Sequence, residues 1–266
     1  MKNKESEIHT DIFNTIIHAD VIDGLKKIPD NSVSLIVTSP PYNVGIEYEE
    51  HEDNMAHEKY LEWLGEVWAE CYRVLRKGGR LCVNIDMTAN MGDRSQEYYR
   101  PLYADMVNLN RKNDFMFRAE IAWYKQNLVG SATAWGSYGS CSNPIIRRNH
   151  EYVLIWSKGE YKLEGDKEKC DLTTKEFQDW TMSMWFISPE TRKLGNHLVP
   201  FPQELVKRLV KLYCYKDDIV LDPFSGTGTT AVVAKKLDRQ YIGIDNDLDS
   251  VQYSRRRIAS ATDIFK

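Results

Sequence analysis

The stretch that most limits the possible folds is Asp218-Ile219-Val220-Leu221-Asp222-Pro223-Phe224-Ser225-Gly226-Thr227-Gly228-Thr229-Thr230. An apolar strand runs into an acidic residue and then into a glycine-rich turn that opens a helix. Gly226 and Gly228 stand where the chain must turn sharply and let its backbone approach a ligand, and Thr229-Thr230 begin a helix with free N–H groups. A second strand, Tyr241-Ile242-Gly243-Ile244-Asp245, also ends in an acid, at about the spacing that lets a carboxylate accept from ribose hydroxyls. A phosphate-gripping P-loop would end in Gly-Lys-Ser/Thr, whereas here Thr229 follows Gly228, so a nucleotide triphosphatase is disfavoured. A dinucleotide cofactor remains open on this pattern alone, because the same turn geometry serves it.

A second stretch narrows the choice. The apolar run Val33-Ser34-Leu35-Ile36-Val37 is stopped by Thr38-Ser39-Pro40-Pro41-Tyr42-Asn43. Two consecutive prolines lack ladder donors and push the preceding residue out of the helical region, so a buried strand must end here in a rigid ledge. The ledge carries a hydroxyl, prolyl carbonyls without competing N–H groups, and an aromatic face. Those groups suit an aromatic amine, with acceptors for its N–H bonds and a ring for its plane. Hydride transfer has no use for them in that form. Taken alone, the same residues also make an ordinary strand-ending turn.

Together the two stretches resemble the DNA amino-methyltransferases that transfer a methyl group from S-adenosylmethionine to an exocyclic base nitrogen. The order matches the permuted beta group of that family, in which Ser/Asp/Asn-Pro-Pro-aromatic precedes Phe-x-Gly-x-Gly, and the likeness extends from about Asp20 to about Asp249. It implies an α/β, Rossmann-like, doubly wound and mostly parallel sheet in a single domain over residues 1–266, with an inserted target-recognition region. By this resemblance S-adenosyl-L-methionine is the cofactor. Asp245 is expected at its ribose, Phe224 and Asn246 around its adenine, and Asp222 with Ser225, Gly226, Thr227 and Gly228 at its methionine portion. Thr38 is counted with them. Asp20, at the end of the strand Ile16-Ile17-His18, either helps hold the adenine or caps the helix that follows. His197, in Gly195-Asn196-His197-Leu198-Val199-Pro200-Phe201-Pro202, lies in the family's last motif, which lines the methionine end; it reads equally well as an ordinary residue before a helix.

The catalytic expectation rests on Ser39, Pro40, Pro41 and Tyr42. The exocyclic amine of cytosine or adenine is a poor nucleophile because its lone pair is delocalised into the ring. Acceptance of its N–H bonds by Ser39 and the Pro40 carbonyl frees that pair for an in-line displacement, with Tyr42 stacking on the base once it has left the duplex. No covalent enzyme intermediate is required. Carbon-5 methylation needs a Pro-Cys nucleophile, and none of the five cysteines follows a proline. In the resembled group Ser-Pro-Pro-Tyr goes with N4 of cytosine, and Asp or Asn in place of serine with N6 of adenine, so cytosine is favoured and adenine is the alternative. A non-catalytic module that binds cofactor or DNA is the rival from another class.

The net charge of −4 supplies no global attraction for nucleic acid, so DNA contacts must come from local clusters. Residues 126–150 mix glycine and serine with Trp135, Tyr138, Asn143, Arg147 and Arg148, groups that stack on bases and grip phosphates; an Ω-loop packed by its own aromatics is the competing reading. Residues 158–195, charged at first and then aromatic, show no lasting periodicity and take part of the target recognition, with Arg192 and Lys193 as further contacts. Arg255-Arg256-Arg257 reads as a solvated surface. Elsewhere, Met55 to Arg76 repeats apolar residues at three- and four-residue intervals, an amphipathic helix that Gly78-Gly79 can terminate and that could bury either a core or a partner.

Scattered cysteines without a CxxC pair argue against disulfides and zinc, and the charged start with no long apolar run points to the cytoplasm rather than to a membrane. The expected partners are double-stranded DNA and, in a restriction-modification system, a cognate restriction endonuclease, with the chain a monomer or a homodimer.

Overall fold

The computed structural model describes residues 12–42, 47–48, 51–52, 55–86, 89–90, 99–125, 139–144, 146, 149–190 and 200–261. Its centre is a sheet of eight strands, which in chain order are β1 (Thr15–His18), β2 (Val33–Thr38), β3 (Leu75–Ile85), β4 (Phe115–Tyr124), β5 (His150–Lys158), β6 (Met184–Phe186), β7 (Ile219–Asp222) and β8 (Gln240–Asp245). Across the sheet they lie in the order β1-β8-β7-β2-β3-β5-β4-β6. Every neighbouring pair is parallel except β3 with β5 and β5 with β4. β5 alone therefore runs against the rest, and seven strands end at the same edge of the sheet.

Both faces are buried, which is why the strands are nearly continuous apolar runs. Along β5, Val153 and Ile155 enter one core while Leu154 and Trp156 enter the other. The second core is closed by α1 (Val21–Leu25), α2 (His57–Val74) and α3 (Leu102–Lys112), and the first by α5 (Gln203–Tyr213), α6 (Thr229–Lys236) and α7 (Leu248–Ser260). In α2 the stripe Tyr60, Leu64, Val67, Trp68, Cys71 and Val74 is buried, a contribution on the order of 10 kcal/mol at the usual value per buried side chain. Its apolar face is committed to the core, which removes the alternative of a partner-binding helix.

Gly78-Gly79 does not terminate α2. The helix ends at Val74, and Leu75 is already extended at φ −65 and ψ 140, so the chain passes directly into β3 with both glycines inside that strand. The reason is tertiary: Gly78 has φ +73, and a Cβ there would lie 2.0 Å from the Lys162 carbonyl oxygen of a chain segment crossing it.

Residues 158–190 contain more regular structure than their irregular pattern suggests. A short helix α4 (Thr174–Trp180) opens with a complete capping box between Thr173 and Glu176, and β6 extends the sheet beside β4. Trp180 and Trp185 are buried in the first core, whereas Phe177 and Phe186 are exposed. Two ion pairs tie the segment down: Arg239 Nη1 and Nη2 donate to Asp171 at 2.8 and 2.7 Å, and Lys211 Nζ donates to both Glu176 oxygens at 2.7 and 2.6 Å. Arg255 and Arg257 are likewise spent internally, donating to the Ile16 and Thr227 carbonyls at 2.7 and 2.6 Å. Among the described residues, no helix is long and apolar enough to cross a membrane.

Candidate active site

Seven strand ends at one edge bring together the residues that follow them, as expected of ligand sites in open α/β sheets. β7, β2 and β3 are consecutive there, so Asp222, Thr38-Ser39 and Asn84 stand side by side although they are far apart in sequence. Asp222 is the fixed point. It is 2% exposed, and its carboxylate accepts from Thr38 Oγ1 at 2.7 Å, Thr230 Oγ1 at 2.8 Å and Phe224 N at 3.1 Å. Burial pushes its acidity up to about 6 despite those three donors. This one side chain locks the end of β2, the start of the glycine turn and the first turn of α6.

The turn itself follows from its glycines. Gly226 and Gly228 have φ +48 and +75, a region costly for side-chain-bearing residues, and Gly228 serves as the N-cap of α6. Asp245, at the end of β8, accepts Gly226 N at 2.6 Å and Asp247 N at 3.0 Å. Each of its oxygens keeps a lone pair for a further donor. Ser225 Oγ is buried, with no protein donor or acceptor among the described residues. Arg257 Nη1 supports the turn from behind at Thr227 O and Oγ1. Asp20 Oδ1 accepts Ile22 N at 2.9 Å and so caps α1, while its neighbour His18 Nε2 lies 2.9 Å from the Asn246 carbonyl. An acid at a strand end, a left-handed glycine turn and a buried hydroxyl without a partner fit a polar, hydroxyl-bearing nucleoside cofactor.

Next to the turn lies the proline ledge. Ser39 Oγ is 3.1 Å from Tyr42 Oη, which in turn donates to the Asn84 carbonyl at 3.4 Å. Burial first, and then the negative charge of Glu151, hold the Tyr42 phenol well above its ordinary acidity, so it stays a neutral hydroxyl. From α2, Tyr60 Oη donates to the Pro41 carbonyl at 2.7 Å. The Tyr60 and Trp63 rings are 6.0 Å apart, and those of Trp63 and Phe224 5.8 Å. An aromatic row thus joins the ledge to the glycine turn. Beyond the ledge, Asn84 Nδ2 donates to Glu151 Oε2 at 2.6 Å, and Lys125 Nζ pairs with Glu151 Oε1.

The sheet therefore assembles Ser39, Pro40, Pro41, Tyr42, Asp20, Thr38, Asp222, Phe224, Ser225, Gly226, Thr227, Gly228, Asp245 and Asn246 along one edge. Asn143 lies in the short described piece 139–144. Trp135, Tyr138, Arg147, Arg148, Arg192, Lys193 and His197 lie outside the described residues. Sequence reasoning did not find Tyr60, Trp63, Asn84, Lys125, Glu151 or Thr230. A local signal existed for Thr230, eight residues after Asp222; for the others the partner lies on another strand or helix.

The profile of a DNA methylase family, the N6/N4 type, matches residues 33–256. The type II methyltransferase M.MjaVI of Methanocaldococcus jannaschii is 36% identical over 179 residues, which cover 67% of this chain and 88% of that protein. The DNA adenine methyltransferase YhdJ of Escherichia coli K12 is 30% identical over 262 residues, covering 93% and 83%. Among solved structures, the Thermus thermophilus protein TTHA0409, a DNA modification methylase complexed with S-adenosyl-L-methionine, superposes with a TM-score of 0.75 at 30% identity, covering 94% of this chain and 95% of the other.

Proposed function

The chain belongs to the N6/N4 DNA methylase family, S-adenosylmethionine-dependent enzymes, and from that premise we propose that it methylates the exocyclic N4 of a cytosine flipped out of duplex DNA at specific sites. The observation that carries this proposal is the ledge: Ser39 Oγ and Tyr42 Oη, 3.1 Å apart, at the sheet edge beside the turn that begins at Asp222. When bound, S-adenosylmethionine supplies a methyl group on a sulfonium sulfur, which leaves as a neutral thioether.

Asp245 and the Ser225 to Gly228 backbone would hold the cofactor. Phe224, kept in place by Trp63, offers a ring face near its adenine. Asp222 is a positioning residue, because its oxygens are engaged by Thr38, Thr230 and the Phe224 N–H. Ser39 Oγ accepts one N–H of the target amine while its own hydroxyl donates to Tyr42 Oη, and Tyr42 Oη donates to the Asn84 carbonyl. The Pro40 carbonyl takes the second N–H. As the amine nitrogen commits its lone pair to the new N–C bond it gains positive charge, which these acceptors stabilise before a proton passes to water.

Serine, a short acceptor, favours cytosine. Adenine N6 is the second reading, and the E. coli relative named as an adenine methyltransferase favours it. Relatives named type II methyltransferases support a place in a restriction-modification system beside a cognate endonuclease. Residues 126–150 and 158–195 are assigned to DNA contact and target recognition. Nucleoside mass spectrometry of mixed-sequence DNA, incubated with the protein and methyl-labelled S-adenosylmethionine, tests the assignment. N4-methylcytosine is the expected product; N6-methyladenine would replace cytosine with adenine and leave the ledge chemistry in place.

A further inference from the structure

Beside the ledge stands an acceptor that nothing in the fold uses. Asn84 is 4% exposed, and no described residue donates to its Oδ1. A buried amide oxygen left without a donor costs free energy, and proteins retain few of them. Here the amide is held in one sense. Its Nδ2 donates at 2.6 Å to Glu151 on β5, and Glu151 is itself paired with Lys125, which follows β4. Because a carboxylate only accepts, the nitrogen side of the amide must face Glu151. The oxygen, on the other arm of the same planar group, then faces away from β5 and toward β2. The register Thr38↔Val83 sets Ser39 beside Asn84 on that side. Through Tyr42 Oη, which reaches both Ser39 Oγ and the Asn84 carbonyl, the two residues already belong to one hydrogen-bonded unit.

We propose that Asn84 is a further catalytic residue, whose Oδ1 accepts an N–H of the target amine alongside Ser39 and the Pro40 carbonyl, and that Glu151, braced by Lys125, is the positioning residue that fixes the sense of its amide. The inference rests on the amine-methylation reading and deepens it. A neutral acceptor suits this place. The amine nitrogen becomes positive as it is methylated, and an oriented amide oxygen stabilises that charge without taking the proton, which goes to water. Glu151→Gln would let Asn84 turn over, since glutamine can donate as well as accept, and would then set Nδ2 against the amine.

The test is single-turnover methylation of mixed-sequence DNA by the full chain with labelled S-adenosylmethionine, with cofactor affinity measured by equilibrium dialysis. Asn84→Ala is expected to slow transfer about 10- to 100-fold with cofactor affinity held within about twofold. Glu151→Gln should lower kcat while leaving the KM for S-adenosylmethionine unchanged, and the double variant should be no slower than Asn84→Ala, because one residue acts through the other. Transfer at the parent rate by Asn84→Ala, or single effects that multiply in the double variant, would overturn the proposal. If Asn84→Ala loses cofactor binding, Glu151→Gln decides alone: slow transfer with cofactor bound supports the assignment, and parent-rate transfer defeats it. Ser39→Ala, run in parallel, separates the two levels. Activity lost in Ser39→Ala but kept in Asn84→Ala removes Asn84 and leaves the methylation reading standing, whereas a parent protein that labels no DNA removes both.

Discussion

At the scale of single residues, the site turns on two side chains with opposite duties. Ser39 faces the substrate, and replacing it with alanine removes an acceptor from the reacting nitrogen and a partner from Tyr42. Ser39→Ala should slow single-turnover methyl transfer by about 100-fold while cofactor affinity, measured by dialysis, stays near the parent value; transfer within about twofold of the parent would exclude Ser39 from the chemistry. Asp222 faces inward. Burial raises its folded pKa to about 6 from the 3.8 of an ordinary aspartate, so between those values the native state binds more protons than the unfolded state. Stability therefore falls as pH rises through that window, by roughly 3 kcal/mol in total from this group. Asp222→Asn removes that dependence. The difference between parent and variant in urea-unfolding free energy should change across pH 4 to 6 and level off above it; parallel curves would show that Asp222 does not titrate there.

At the scale of elements, the glycine turn is built to a tolerance of one methyl group. Gly228 has φ +75, and a Cβ at that position would sit 2.6 Å from the Ser254 Cβ on α7. Gly228→Ala should cost about 1–3 kcal/mol in unfolding experiments and weaken S-adenosylmethionine binding, since α6 would have to pull away from α7 and disturb the turn. A variant with unchanged affinity would mean that the turn does not shape the cofactor site. Gly78 teaches the complementary lesson. On local grounds a Gly-Gly pair after an amphipathic helix reads as its stop. The strand nevertheless runs through both residues, because the backbone at Lys162 presses against Gly78 from more than eighty residues away. Likewise, Trp180 and Trp185 look like a recognition surface in an irregular segment, yet α4 and β6 turn them into the core.

At the scale of the whole molecule, a net charge of −4 must coexist with an anionic substrate. The arginines of α7 do not resolve this, for Arg255 and Arg257 hydrogen-bond to their own chain. The remaining basic pairs, Arg147-Arg148 and Arg192-Lys193, then carry the expected phosphate contacts. Replacing Arg147 and Arg148 together with alanine should reduce the slope of log affinity against log salt by about 1–2, read from DNA-binding titrations over a range of KCl concentrations. An unchanged slope would place the phosphate contacts elsewhere.

What could be read directly from the chain was whatever is encoded within about a dozen consecutive residues: the prolines that stop β2, the glycines that open α6, the acids at the ends of β7 and β8, and the apolar periods of the strands and of α2 and α5. These suffice for a parallel α/β sheet with a ledge and a turn at its edge, because proline and glycine act on backbone angles whatever surrounds them. The strand order is different in kind. Placing β7 against β2, and β5 antiparallel between β3 and β4, is what brings Asp222 to Thr38 across 184 residues and Glu151 to Asn84 across 67. Hydrogen bonds of that span leave no periodicity or local composition in the chain. The lock behind the ledge and the oriented amide beside it come into being only when the strands are laid side by side.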